Sequence, residues 1–160
     1  MTYKLNNITS NIYRPVGTKM IEITLSASQT LSAGGIVVFD TLSCETTPAL
    51  SLNASTGEIT LASNKSYYIE ASIDVTRSST SSSLEFAWID SAGTVIPISD
   101  GGFDANWVYH SANSVGPTST NVANYITNSP TSAIRLKAIT LNASSTILQG
   151  TRVFIIEVDQ

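Results

Sequence analysis

The sequence predicts an all-β sandwich, and three observations carry that expectation. From Tyr68 to Val75 the chain alternates strictly: Tyr68, Glu70, Ser72 and Asp74 fall on one face, and Ile69, Ala71, Ile73 and Val75 on the other. A period of two is that of a half-buried strand, whose successive side chains point to opposite sides of the sheet. The composition agrees. Hydrophobic residues make up 42% of the chain but charged residues only 12%, with Ser, Thr and Asn in their place; helix-favouring Lys and Glu are scarce while strand-favouring Thr, Val, Ile and Tyr are not. Finally, roughly ten short strand-like runs recur at spacings of about 8–15 residues between turn-forming segments, and none has a helical period. A jelly-roll β-sandwich satisfies that count.

In chain order, residues 1–17 are polar and irregular, with Tyr3, Leu5, Ile8, Ile12 and Tyr13 loosely spaced before a break at Pro15–Gly17. They read as an N-terminal arm for attachment, followed by the head at 18–160. Lys19–Leu25 alternates as a strand, and 27–35 is a turn-rich link. Ile36–Asp40 is a short apolar run suited to a strand buried on both faces. The segment around Cys44, from Leu42 to Pro48, reads as a connector. Short strands are expected at Pro48–Asn53 and Gly57–Leu61, with Gly57 supplying the permissive backbone of the turn between them. The long strand runs from Ser66 to Arg77, and the tract at 78–83 is a loop. Leu84–Asp90 places Phe86 and Trp88 together as core candidates, and a turn at 91–93 leads into Thr94–Ile98, where Pro97 marks a strand edge or end. Beyond a Gly/Asp loop at 99–105, a short strand is expected at Trp107–His110, a loop at 111–120, and strands at 121–127, 133–141 and 152–158. A link joins the last two.

Phe39-Asp40, Ser55-Thr-Gly57, the Tyr67-Tyr68 pair and the apolar last strand Val153–Val158 together resemble the globular head of the C1q and tumour-necrosis-factor superfamily over about residues 34–158. The resemblance implies a jelly roll that forms homotrimers around a threefold axis through its sheet faces. On that implication Tyr67, Tyr68 and Phe154 are the candidates for the trimer interface. The chain departs from the animal members in having neither a preceding Gly-X-Y repeat nor a membrane anchor.

Several classes of function are disfavoured. A net charge of −4, with eight scattered Lys and Arg, offers no basic patch for nucleic acid. The start has no apolar core of a signal peptide, and no run of about 20 apolar residues could span a membrane as a helix. One cysteine cannot form an intrachain disulfide, and with a single histidine, His110, one chain lacks the usual zinc ligand set. No Gly-x-Ser-x-Gly elbow and no phosphate-cradling glycine motif is present. Asn7, Asn53, Asn64 and Asn142 each open an N-x-Ser/Thr triplet, read as accidents of a Ser/Thr-rich chain. Glycoside cleavage needs two positioned carboxylates, and nothing in the spacing of Glu85, Asp90, Asp100 and Asp104 sets a pair about a sugar ring. The expectation is a non-enzyme without cofactor or metal.

The function expected is structural. The chain reads as a virion component made in a host cytoplasm: a bacteriophage capsid decoration (cement) or head-fibre protein whose partners are its own copies and a major capsid or other virion protein. Its arm, through Tyr3, Leu5, Ile8, Ile12 and Tyr13, would lie on the capsid surface. The alternative is a tail-fibre tip recognising a host glycan or receptor through a loop carrying Asp100, Asp104, Trp107 and Tyr109, since aromatic faces supply large contact area at low entropic cost.

Overall fold

The computed structural model describes residues 20–45, 50–77, 84–97, 116–126, 133–141 and 145–158. The arm 1–17 and the expected strand at Trp107–His110 lie outside the described residues. Twelve strands, and no helix, are found among those described: β1 (Met20–Thr24), β2 (Gln29–Leu31), β3 (Ile36–Val37), β4 (Thr41–Glu45), β5 (Ser51–Asn53), β6 (Glu58–Thr60), β7 (Ser66–Arg77), β8 (Leu84–Asp90), β9 (Gly116–Ile126), β10 (Ala133–Leu141), β11 (Ser145–Ile147) and β12 (Arg152–Val158). They form two sheets, all ladders antiparallel, packed as a jelly-roll β-sandwich.

The first sheet is built around β7. One edge of this strand pairs with β9 along nearly its whole length, from Tyr67↔Ile126 to Arg77↔Gly116. The other edge is divided: β12 pairs with Ser66–Ser72, and β11 with Val75 and Thr76. Beyond β12 lie β1 and then β4, while β2 flanks β11. The point where β12 hands over to β11 leaves Asp74 without a strand partner on that edge, and Thr151 fills the gap. Its Oγ1 accepts from the Asp74 N–H at 3.1 Å and donates to the Asp74 carbonyl at 3.3 Å. Leu148 N–H also reaches that carbonyl at 2.8 Å, and the Leu25 N–H donates to the Thr151 carbonyl at 2.9 Å. Thr151 is fully buried, and its hydroxyl pairs with the part-buried backbone groups of Asp74 that the ladder leaves over.

In the second sheet β10 pairs with β8 on one side, and with β6 and β3 over successive stretches; β5 pairs with β6. The expected alternation holds in β10, with Ile134, Leu136 and Ala138 buried and Arg135, Lys137 and Ile139 less so. Its buried residues face Ile69, Ile73, Val153 and Ile155 of the first sheet across one continuous core. Phe86 and Trp88 lie in that core, as expected from their shared face. Trp88 also ties the sheets together: its indole N–H donates to the carbonyl of Val122 on β9 at 3.3 Å.

Gly57 closes the β5–β6 turn with φ of +67°, where a Cβ would stand 2.6 Å from the Val37 carbonyl oxygen and 2.7 Å from the Val38 Cα. Asn53 shapes the same turn, its carbonyl accepting from Thr56 and Gly57 and its side chain from Ser55.

The structure corrects several boundaries. The segment read as a connector around Cys44 is strand β4, the edge of the first sheet. The two turn-rich links contain the short strands β2 and β11. The loop expected up to residue 120 becomes strand at Gly116, and the strand expected at Thr94–Ile98 is reduced to a single bridge between Ile89 and Val95. The run Ile36–Asp40 is not buried on both faces: Val37 and Phe39 enter the core while Ile36, Val38 and Asp40 stay half-exposed.

Thr151→Val keeps the shape but leaves the part-buried Asp74 N–H without its acceptor. It is expected to cost about 1–3 kcal/mol, read as a lower urea midpoint at unchanged slope.

Candidate functional site

All twelve strands belong to the two sheets, so no third layer among the described strands covers the outer face of β4-β1-β12-β7-β9. The register places its side chains in rows. Met20, Ile156, Tyr68 and Tyr125 stand side by side across β1, β12, β7 and β9. The next row is Glu22, Phe154, Glu70 and Ala123, and the one after it Thr24, Arg152, Ser72 and Asn121. Farther along, Ser119 donates its hydroxyl to Asp74. The face is therefore apolar and aromatic at the end where β1 begins, and polar toward the other end.

Met20 is only 8% exposed, and Ile156, Phe154, Tyr68, Tyr125 and Ala123 are half-buried. Two polar contacts order the middle of the face. The Tyr68 hydroxyl donates to Glu70 Oε2 at 2.9 Å, and Arg152 Nη1 lies 4.0 Å from Glu22 Oε1. Burial, and then the hydrogen bond to Glu70 and its negative charge, hold the Tyr68 phenol above its ordinary value. Asp40, at the corner leading into β4, is held below the usual carboxylate value mainly by the hydroxyl and backbone N–H of Ser26.

Of the residues expected at an interface, Tyr68 and Phe154 lie on this face as diagonal neighbours. Tyr67 does not. It is fully buried in the core, because consecutive residues of a strand face opposite ways and Tyr68 already occupies the outside. The arm residues Tyr3, Leu5, Ile8, Ile12 and Tyr13, and the loop residues Asp100, Asp104, Trp107 and Tyr109, lie outside the described residues, as does His110.

The sequence reading missed Met20, Ile156, Glu22 and Arg152; it set Glu70 on the face of Tyr68 without assigning it a part, and it read Tyr125 as an aromatic for sugar or receptor contact, where the register places it beside Tyr68. One signal for the apolar part was present. In Arg152-Val-Phe-Ile-Ile-Glu-Val158, the residues alternating with core-facing Val153 and Ile155 are Phe154, Ile156 and Val158. A strand facing water on one side shows polar residues there, and one covered on both sides does not.

Among the described residues, no group of three or more His, Cys, Asp or Glu side chains is placed to hold a metal ion, and no helix is long and apolar enough to cross a membrane.

The fold defined by this architecture is a jelly-roll β-sandwich, similar to that of tumour-necrosis-factor and C1q heads. The particular structures it resembles include Eiger TNF from S. frugiperda, at 9% identity and TM-score 0.61 over 89% of this chain and 94% of that one. Murine APRIL at pH 5.0 gives 11% identity and TM-score 0.62 over 88% and 99%. The globular domain of zebrafish complement 1qA gives 8% and 0.58 over 89% and 98%. At such identities the likeness is one of fold. No family model matches the chain, and no curated protein matches it.

Because folding holds the Tyr68 proton more tightly than the unfolded chain does, its contribution to stability is intact below the ordinary phenol value of 10.0 and is lost as pH rises through the folded value. A spectrophotometric titration is expected to include a late-ionising phenol that is lost in Tyr68→Phe.

Proposed function

We propose that this chain is a non-catalytic structural head that assembles as a homotrimer through the outer face of the first sheet, and that it serves as a virion component, a capsid decoration or head-fibre protein anchored by residues 1–17. The observation that carries the assembly is the row Met20–Ile156–Tyr68–Tyr125 with Phe154 beside it, an apolar face over which no described strand is layered and on which Ile156, Tyr68, Tyr125 and Phe154 stay half-exposed. Five strands about 4.8 Å apart and up to twelve residues long present about 700 Å² of face. That is near the roughly 800 Å² per partner of a specific interface. Association of copies removes the apolar part of this face from water, and the two-sided apolar pattern of β12 is what such burial requires.

The topology supports the arm as anchor. β1 begins at Met20, beside Ile156, and β12 ends at Val158, beside Ser66, so both chain ends leave from one pole of the sandwich. Three arms on one trimer would leave from the same pole and bind a shell together, so weak single contacts add through effective concentration. Binding the assembled shell in preference to free subunits then stabilises the particle by mass action.

The opposite pole favours a second reading, a receptor- or glycan-binding tip. There Arg77 meets Gly116 and Leu84 meets Leu141, so the connections 78–83 and 142–144 start and end together, at the end of β7 farthest from Met20. A head held at one pole displays the other.

Deletion of residues 1–17 is expected to leave the oligomer intact and abolish binding to particles, measured by co-sedimentation; a truncated head that still decorates normally refutes the anchor. For the display reading, Trp107→Ala is expected to lose a cell-binding or glycan-array signal that the intact chain gives.

A further inference from the structure

Glu22 and Glu70 flank Phe154 in one row of the outer face, on β1 and β7 respectively. Both are half-buried before any partner arrives, the Glu22 side chain being 16% exposed. The other charged and titratable groups turned to this face are few among the described residues. β7 adds Asp74, engaged by Ser119, and Tyr68, engaged with Glu70. β9 contributes Tyr125 and the neutral Ala123 and Asn121, and on β4 Cys44 stands opposite Glu22 and Thr41 opposite Thr24. β12 contributes the one cation, Arg152, which lies 4.0 Å from Glu22 and is 49% exposed. The described residues of each copy thus bring three carboxylates and one guanidinium to the face.

We propose that Glu70 sets a charge barrier to assembly, so that the copies associate more tightly when its carboxylate is neutral, by acid or by substitution. The inference rests on the reading that copies meet over this face. Two physical terms oppose closure with Glu70 ionised. A carboxylate entering a dry interface loses hydration, and one hydrogen bond from Tyr68 replaces only part of it. Around a threefold axis the same carboxylate recurs from each copy, and like charges brought together in a low-dielectric setting repel. Glu22 meets the barrier in weaker form, because Arg152 beside it offsets its charge. The Tyr68 phenol, held above its ordinary value by burial and Glu70, stays a donor throughout the acidic and neutral range. A glutamine at position 70 accepts the same hydrogen bond without the charge.

The test is the association midpoint of the full chain in a dilution series followed by sedimentation velocity, at pH 7.5 and pH 5.0, for the wild type, Glu70→Gln and Glu22→Gln. The wild type is expected to associate about tenfold more tightly at the lower pH. Glu70→Gln should reproduce most of that gain at pH 7.5 and respond little to acid, whereas Glu22→Gln should gain less, having orphaned Arg152. If the wild type assembles equally at both pH values, or Glu70→Gln assembles no better than wild type, the charge barrier is refuted while the interface stands. If no protein assembles at any concentration or pH, the reading of the face as an interface is itself refuted. Circular dichroism of each variant separates these outcomes from misfolding.

Discussion

A single twelve-residue strand has to satisfy three neighbours at once, and the first sheet depends on how it does so. β7 gives one edge to β9 and divides the other between β12 and β11. A divided edge leaves backbone groups at the division without ladder partners, and buried unpaired groups are costly. The hydroxyl of Thr151, donating and accepting with the two backbone groups of Asp74, is what makes the division affordable. With the edge closed, the strict alternation of Tyr68–Val75 does two things together. Ile69, Ala71, Ile73 and Val75 enter the core, and Tyr68, Glu70, Ser72 and Asp74 are held in register on the outside with Phe154 and Ile156.

On that outer face the alternation that fills the core also leaves apolar side chains outside it, as the proposed association of copies requires. Val153 and Ile155 of β12 fill the sandwich, and Phe154 and Ile156 between them are as apolar as a core strand needs but lie where this chain supplies no cover among its described strands. Polar residues concentrate toward the other end of the face, where Arg152, Ser72 and Asn121 line up. Such a gradient gives an interface a drier end and a wetter end, and it fixes which way a partner lies. Among the described residues β9 pairs with β7 alone, and the Val122 carbonyl of β9 accepts from the Trp88 indole on the core side, which leaves one group fewer for unwanted strand pairing.

Much of this was legible in the residues. The period of two in β7 and β10, the shared face of Phe86 and Trp88, and the Ser-Thr-Gly turn each specified their structure locally. What was not legible depended on partners far away in the chain. β2 and β11 are three residues each and look like turn-rich link until they are seen paired to each other and β11 to β7. β4 lacks alternating apolar residues because it is an edge strand, joined to β1 through a register shift. β9 opens with Gly116-Pro117, ordinarily a breaker, and an edge strand tolerates the proline because its missing N–H need not serve a second neighbour. In the candidate site the pair Tyr67-Tyr68 was visible, but adjacency in sequence was mistaken for adjacency on a face. The alternation already set Glu70 on the face of Tyr68, but its meeting with Glu22 across Phe154 was not legible, since neighbours across a sheet are a property of register alone.

The central claim is that the row from Met20 to Tyr125 is covered by another copy of this chain. Light-scattering measurement of molar mass for the purified protein tests it most directly, paired with Ile156→Asp, which places a charge in the middle of that row while the core-facing neighbours are untouched. The account requires a mass three times the 17.0 kDa of one chain for the wild type and a folded monomer for the variant. A wild-type monomer at all concentrations, or an oligomer indifferent to aspartate at position 156, would contradict it.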